Sequence, residues 1–189
     1  MPDSLSTFDT LAELLITQTQ PTTSLDIGCG RGKYADLIER LAPSCARTGV
    51  EIDAGYIEEF SLRERYHELI NADCMKLLDT PDRNWDLAII GDTIEHLRKS
   101  HGIDLIHFLL YRVKVIYIVF PVHFLQNSWE GHIHEAHISH WSEHDFAGLD
   151  HLFVSLGNMR AVVIEGFIPH HSAVQQLRSA MSPETHAAP

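Results

Sequence analysis

The hydrophobic pattern of the chain switches repeatedly between two periods, and each switch marks a change of element. Phe8 to Ile16 is apolar at helical spacing, and Pro21 with two threonines ends it. Leu25 and Ile27 make a short apolar strand, followed by helical periodicity over 34–41 that closes near Ala42-Pro43. A strand over 48–53 and a helix over 54–66 repeat the order, then strands follow over 68–74 and 85–90. A helix over 104–112 leads into 113–120, the most hydrophobic β-rich run, which Pro121 stops. This alternation predicts an α/β fold, a doubly wound and mostly parallel sheet with helices on both faces.

Beyond Trp141 the pattern supports two readings. Ser142 to Asp145 resembles a capping box, and Phe146, Leu149, Leu152, Phe153 and Leu156 keep helical spacing up to Gly157-Asn158. Alternatively, 152–156 is one arm of a hairpin with 160–164. In either case Ala161 to Ile164 is the last strand. The expected organisation is a single domain over 1–168 with a surface-bound or frayed tail over 169–189.

The strongest local signal lies between the first strand and the helix after it. Gly28, Gly30 and Gly32 alternate through a turn whose tightness calls for backbone angles closed to other residues. The helix start beyond them offers free N–H groups to an anionic part of a ligand. The spacing is G-x-G-x-G rather than the G-x-G-x-x-G of dinucleotide folds. Asp26, two residues upstream, would repel a pyrophosphate and attract a cation. A ligand with an ammonium, a carboxylate and a nucleoside fits both features.

Composition narrows the partners. The 189 residues are enough for one domain with a proper core. Lys and Arg total 14 against 26 Asp and Glu, a formal charge of −12, which argues against nucleic acid as the main partner. No apolar run approaches membrane-spanning length, and the N-terminus lacks a basic-then-apolar signal. Cys29, Cys45 and Cys74 are odd in number and not paired in spacing, which suits a reducing cytoplasm.

With Asp26 ahead of Gly28, Gly30 and Gly32, the sequence resembles the class I S-adenosylmethionine (SAM)-dependent methyltransferases over about residues 22–166. The resemblance implies a Rossmann-like fold with SAM as cofactor. It implies that Glu51, with Asp53 in reserve, accepts from the ribose hydroxyls. It also implies that Asp73 accepts from the adenine amino group with Cys74 beside it, while Ile52 packs on the ring.

The chemistry should lie where Asp92, Glu95 and His96 follow the fourth strand and where His137 stands in the loop after the fifth. These groups support three readings. A histidine, His137 or His96, with Asp92 in support, could take the proton of an attacking hydroxyl near neutral pH. The set Asp92, Glu95, His96 and His137 could bind a divalent metal such as Mg, Mn or Zn. The i, i+3, i+4 spacing of the first three would place them on one face of a helix starting there. That run resembles the motif of metal-assisted O-methyltransferases, such as those of ubiquinone synthesis and the small-RNA 2′-O-methyltransferases, and in the latter a His also lies four residues before a Trp, as His137 does before Trp141. The third reading is structural, with the histidine packed over the site. His132, His134, His140 and His144 could form a zinc cluster or a polar lid. The segment His137 to Phe146 also resembles small methyltransferases encoded with sugar and polysaccharide enzymes. The resemblance implies methyl transfer to a small hydroxylated acceptor, a sugar or a phenol, with the N-terminal helix and the loop over 122–141 shaping its pocket. The alternatives are N-methylation of a sugar amine or small metabolite, or a non-catalytic SAM-binding subunit.

Overall fold

Strand β1 (Thr23–Ile27) is central, with Leu25 and Ile27 fully buried on one face and Asp26 turned to the other. The computed structural model describes residues 6–80, 82–122 and 135–182. In the sheet, β1 stands between β2 (Ala46–Glu51) and β4 (Trp85–Gly91). Strand β3 (Glu68–Asn71) flanks β2, and β5 (Val113–Pro121) flanks β4. Beyond β5 come β7 (Met159–Glu165) and then β6 (His151–Leu156) at the edge. The first five strands are parallel, and β7 runs antiparallel to both of its neighbours. The chain order therefore reverses between β1 and β4, the place where such sheets open a crevice at the carboxyl ends of their strands.

Strands β4 and β5 are apolar at nearly every position because both of their faces are covered. Leu87, Ile89, Val115, Tyr117 and Val163 face one core, against helices α1 (Asp9–Thr19), α2 (Lys33–Leu41) and α6 (Ala173–Met181). Ala88, Ile90, Ile116, Ile118 and Val162 face the second core, against α5 (Lys99–Leu110), Trp141 and Phe146. The doubly wound expectation holds, with β7 as its antiparallel member.

Four expectations change. The helix over 54–66 is two short helices, α3 (Ala54–Glu59) and α4 (Leu62–Arg65), broken at Ser61, which adopts a left-handed φ of 50°. The helical reading of Phe146 to Leu156 fails and the hairpin holds. Ser142 and Asp145 do form a capping box, but on a single 3₁₀ turn, and Gly157 at φ 53° turns β6 into β7. The segment over 169–182, expected as a surface-bound or frayed tail, contains α6. Its Ala173, Val174 and Leu177 are buried beside α1, while Glu165 ties its start by accepting from Ser172 Oγ and the Val174 amide. Finally, the anticipated helix beginning at Asp92 is absent. Asp92 has φ 47°, Ile94–His96 make one 3₁₀ turn, and α5 starts only at Lys99.

Because Leu177 is fully buried, Leu177→Ala should cost about 2–5 kcal/mol. Urea unfolding measures this, and a loss under about 1 kcal/mol would show that α6 is not part of the core.

Candidate active site

The crevice at the β1/β4 reversal is a cleft of about 200 Å³, partly open to solvent. The glycine turn forms its floor. Gly28, Gly30 and Gly32 all have positive φ, at 74°, 50° and 77°, which a side chain would strain. Gly28 has a second constraint, since a Cβ there would overlap the Thr93 side chain. Gly32 leads directly into α2.

Glu51, at the end of β2, is nearly fully buried and lines the cleft. Its two oxygens accept from the amides of Gly30 and Asp53, each at 2.9 Å. The carboxylate therefore holds the turn and the β2 exit loop together. Asp53 itself caps α3, accepting from the Gly55 and Tyr56 amides. Ile52 is half-exposed on the cleft wall. Asp73 and Cys74 line the far end, where Asp73 caps a 3₁₀ turn by accepting from the Met75 amide at 2.9 Å. Burial pushes the Cys74 thiol up to about 12.

Asp26 departs from its expected place. It does not line the cleft but lies beneath the turn, 2% exposed, where Oδ2 accepts from the Tyr66 hydroxyl at 2.5 Å and Oδ1 is unpartnered. Strand alternation explains this, because Asp26 points to the face opposite Leu25 and Ile27, where the Tyr66 ring packs. Burial raises its carboxyl to about 7, despite the Tyr66 hydrogen bond that favours the ionised form.

At the β4 end, Asp92, Thr93 and His96 line the cleft. The His96 Nδ1 is 3.1 Å from the Ala136 carbonyl, so an Nδ1–H donating there leaves Nε2 with its lone pair. Burial lowers the His96 pKa, partly offset by that carbonyl and by Glu135. The His137 ring packs edge-on against His96, with centroids 4.8 Å apart. Glu95 is 3% exposed; its Oε1 lies 4.0 Å from His137 Nε2 and its Oε2 has no partner. Burial, and then the charges of Asp92 and Glu135, push its carboxyl well above the usual range. Ligand atoms of Glu95, His96 and His137 fall within 4.8 Å of one another.

The structure thus unites three of the four residues considered for a metal and leaves Asp92 outside that group. Without the helix, the spacing that would have aligned Asp92 with Glu95 does not apply. His140 and His144 are exposed and do not join the cluster, while Trp129, His132 and His134 lie outside the described residues. The α1 helix supplies no cleft residue. Its Asp9 pairs with Lys33, and its apolar face shares a core with Tyr34, both of them cleft-lining residues of α2.

Sequence reasoning missed Tyr56, Glu135, Thr93, Leu97, Arg31 and Lys33, all of which line the cleft. The last two flank the glycines and could have been found by position. Glu135 lies in a stretch without periodicity, so no pattern pointed to it. The lining carboxylates Glu51, Asp73, Asp92 and Glu135 outnumber Arg31 and Lys33. That charge balance suits a sulfonium and ammonium ligand and disfavours a pyrophosphate.

Residues 25–115 match a family model described as a methyltransferase domain. The fold is similar to an O-methyltransferase family protein from Burkholderia thailandensis, with a TM-score of 0.62 at 13% identity over 84% of this chain and 56% of that one. It is similar to the methyltransferase domain of a bacterial protein, CtHen1, with a TM-score of 0.62 at 15% identity over 85% and 98% of the two chains. Human N-acetylserotonin methyltransferase, solved with SAM, has a TM-score of 0.58 at 17% identity over 84% and 52%. The chain therefore spans little more than half of the first and third of these proteins. No curated protein shows matching sequence similarity. The matched segment is thus that of a methyltransferase domain, and the fold is the one these solved methyltransferases share. The charge of the residues on the cleft wall suits SAM, the molecule bound in the N-acetylserotonin methyltransferase structure.

Two outcomes follow from this geometry. Gly30→Val should abolish measurable SAM binding in calorimetry, because a β-branched residue at φ 50° must rebuild the turn. Asp26 binds protons more tightly folded than unfolded, so its contribution to stability is full below about pH 4 and is lost as pH rises through about 7. Asp26→Asn should remove that loss, about 1.4 kcal/mol per pH unit across the window, in urea midpoints measured from pH 4 to 8.

Proposed function

We propose that this protein transfers the methyl group of SAM to an oxygen of a small hydroxylated acceptor, a sugar or a phenol, in the cytoplasm. The observation that carries the reading is the placement of His96 on the cleft wall with His137 and the buried Glu95 directly behind it. A hydroxyl must lose its proton as it becomes a nucleophile, and an imidazole with a free Nε2 is suited to receive it. Bound SAM supplies an electrophilic methyl group on a sulfonium. The chain's own contributions are to hold the cofactor, to orient the acceptor and to take the proton.

The glycine turn offers main-chain N–H groups to the carboxylate end of the cofactor. Glu51 is assigned to the ribose hydroxyls, and Asp73 with Cys74 to the adenine edge, with Ile52 against the ring. Asp26 acts from beneath, positioning the turn through Tyr66 rather than meeting the cofactor's ammonium. Burial keeps the imidazole of His96 neutral, the form that accepts a proton. Methyl-acceptor specificity falls to Tyr56, Asp92, Leu97 and Glu135 at the open end of the cleft.

One observation favours a second reading of the same residues. Glu95, His96 and His137 offer three convergent donors, and the unpartnered Glu95 Oε2 is the kind of atom a cation would satisfy. A divalent Mg, Mn or Zn held there would bind the acceptor oxygen and acidify its hydroxyl.

Labelled SAM offered to panels of sugars, phenols, catechols and amines tests the reaction. Transfer to hydroxylated members alone is expected, and transfer only to amines would overturn O-methylation. His96→Ala should lower kcat by about 100-fold or more with SAM affinity kept. In the wild type, kcat should rise with pH through a midpoint below the ordinary imidazole value, the direction that burial of His96 sets. Full activity after exhaustive dialysis against EDTA leaves the histidine base alone. Loss of activity, restored by one of the three cations, establishes the metal reading instead.

A further inference from the structure

The segment that carries His137 is hung on the two carbonyls just before His96. The Glu95 carbonyl accepts from the amides of Ile138 at 2.9 Å and Ser139 at 3.1 Å. The Ile94 carbonyl accepts from Ser139 Oγ and from Trp141 Nε1, both at 3.3 Å. Trp141 Nε1 also donates to Ser139 Oγ at 2.8 Å. Ser139 and Trp141 are both buried, and neither lines the cleft. The indole is gripped on all sides: Phe146 stacks on it, Lys99 Nζ sits 3.8 Å from the ring centroid, and Lys99 is itself fixed by Asp145 at 2.7 Å and by the His140 carbonyl.

The remaining contact explains a glycine that helix propensity disfavours. Gly102 lies inside α5, where glycine costs about 1 kcal/mol relative to alanine. Its φ is not left-handed, so backbone geometry does not require it. A Cβ on Gly102, however, would overlap Cζ2 and crowd Cη2 of the Trp141 indole. The helix carries a glycine because the indole occupies the space of a side chain.

From this network we infer that Trp141, seated by Gly102 and Ser139, is a positioning residue that sets the placement of His137 against His96 and Glu95. The inference rests on the proposed reading of those three residues as the reaction centre. Trp141 touches neither cofactor nor acceptor and acts through the Ile94 and Glu95 carbonyls. An indole shifted by one ångström would carry residues 137–139 with it and change the separation of the two imidazoles, while Glu51 and the glycine turn would stay in place.

The test combines three variants with two readouts. Trp141→Phe removes the Nε1–H, Ser139→Ala removes one hydroxyl with the least risk to folding, and Gly102→Ala displaces the indole. In each, the ring-proton NMR signals of His96 and His137 should move away from their wild-type positions, with SAM affinity by calorimetry within about 2-fold of wild type. With any acceptor that the wild type methylates, kcat should fall by about 10-fold or more, corresponding to at least about 1.4 kcal/mol, while the KM for SAM is kept. The double variant Gly102→Ala/Trp141→Phe should recover part of the loss seen in Gly102→Ala, because phenylalanine lacks the benzo-ring atoms that the new Cβ meets. Histidine signals that superimpose on the wild type in Ser139→Ala and Trp141→Phe would overturn the positioning role. Shifted signals with unchanged kcat would uphold the positioning and instead refute the histidines as the reaction centre.

Discussion

Glu51 accepts hydrogen bonds from the amides of Gly30 and Asp53, and these two contacts tie the exits of β1 and β2 into one rigid rim. The bonds are charge-assisted and shielded from water by the burial of Glu51, so they resist competition from solvent. Without them the glycine turn, whose three positive-φ residues have little intrinsic preference for a single shape, would have no fixed height above the sheet. Asp26 supports the same turn from below, where its carboxyl meets the Tyr66 hydroxyl and joins β1 to the end of α4. The cofactor side of the cleft is therefore an arrangement of buried carboxyl groups, each doing structural work through protein hydrogen bonds.

The His96 side of the cleft is organised differently. It depends on the turn at Ile94–His96 and on a segment over 135–141 that docks onto it through main-chain carbonyls. Few of these contacts are local in sequence: His96 meets Ala136, Glu95 meets Ser139, and Ile94 meets Trp141. The two halves of the cleft meet at Thr93, whose side chain fills the space that a side chain on Gly28 would need. That contact couples the height of the glycine turn to the start of the β4 exit.

The burial of Glu95 costs free energy unless something compensates the carboxyl group, by a proton, an imidazolium or a cation. Its neighbours Asp92 and Glu135 increase that cost. Burial therefore favours the neutral form of this carboxyl group unless a positive charge stands beside it. The base and the metal readings are two ways of meeting the same electrostatic demand.

The sequence alone determined the parallel part of the sheet and the glycine turn and carboxylates that line the cleft beside it. Both are written in local terms: short continuous apolar runs for strands buried on two faces, glycines at alternating positions, and carboxylates at or just past strand ends such as Glu51 and Asp73. Tertiary structure decided the rest. Periodicity could not choose between helix and hairpin for Leu152 and Phe153, because both readings bury apolar residues, and β7 selects the hairpin by pairing on both of its edges. The direction of Asp26, the absence of a helix at Asp92, and the joining of Glu95 and His96 to His137 some forty residues later depend on contacts made at long range. The fold of α6 against α1 likewise follows from an apolar face that its own composition only weakly announces, and that face has meaning only once the opposite surface exists.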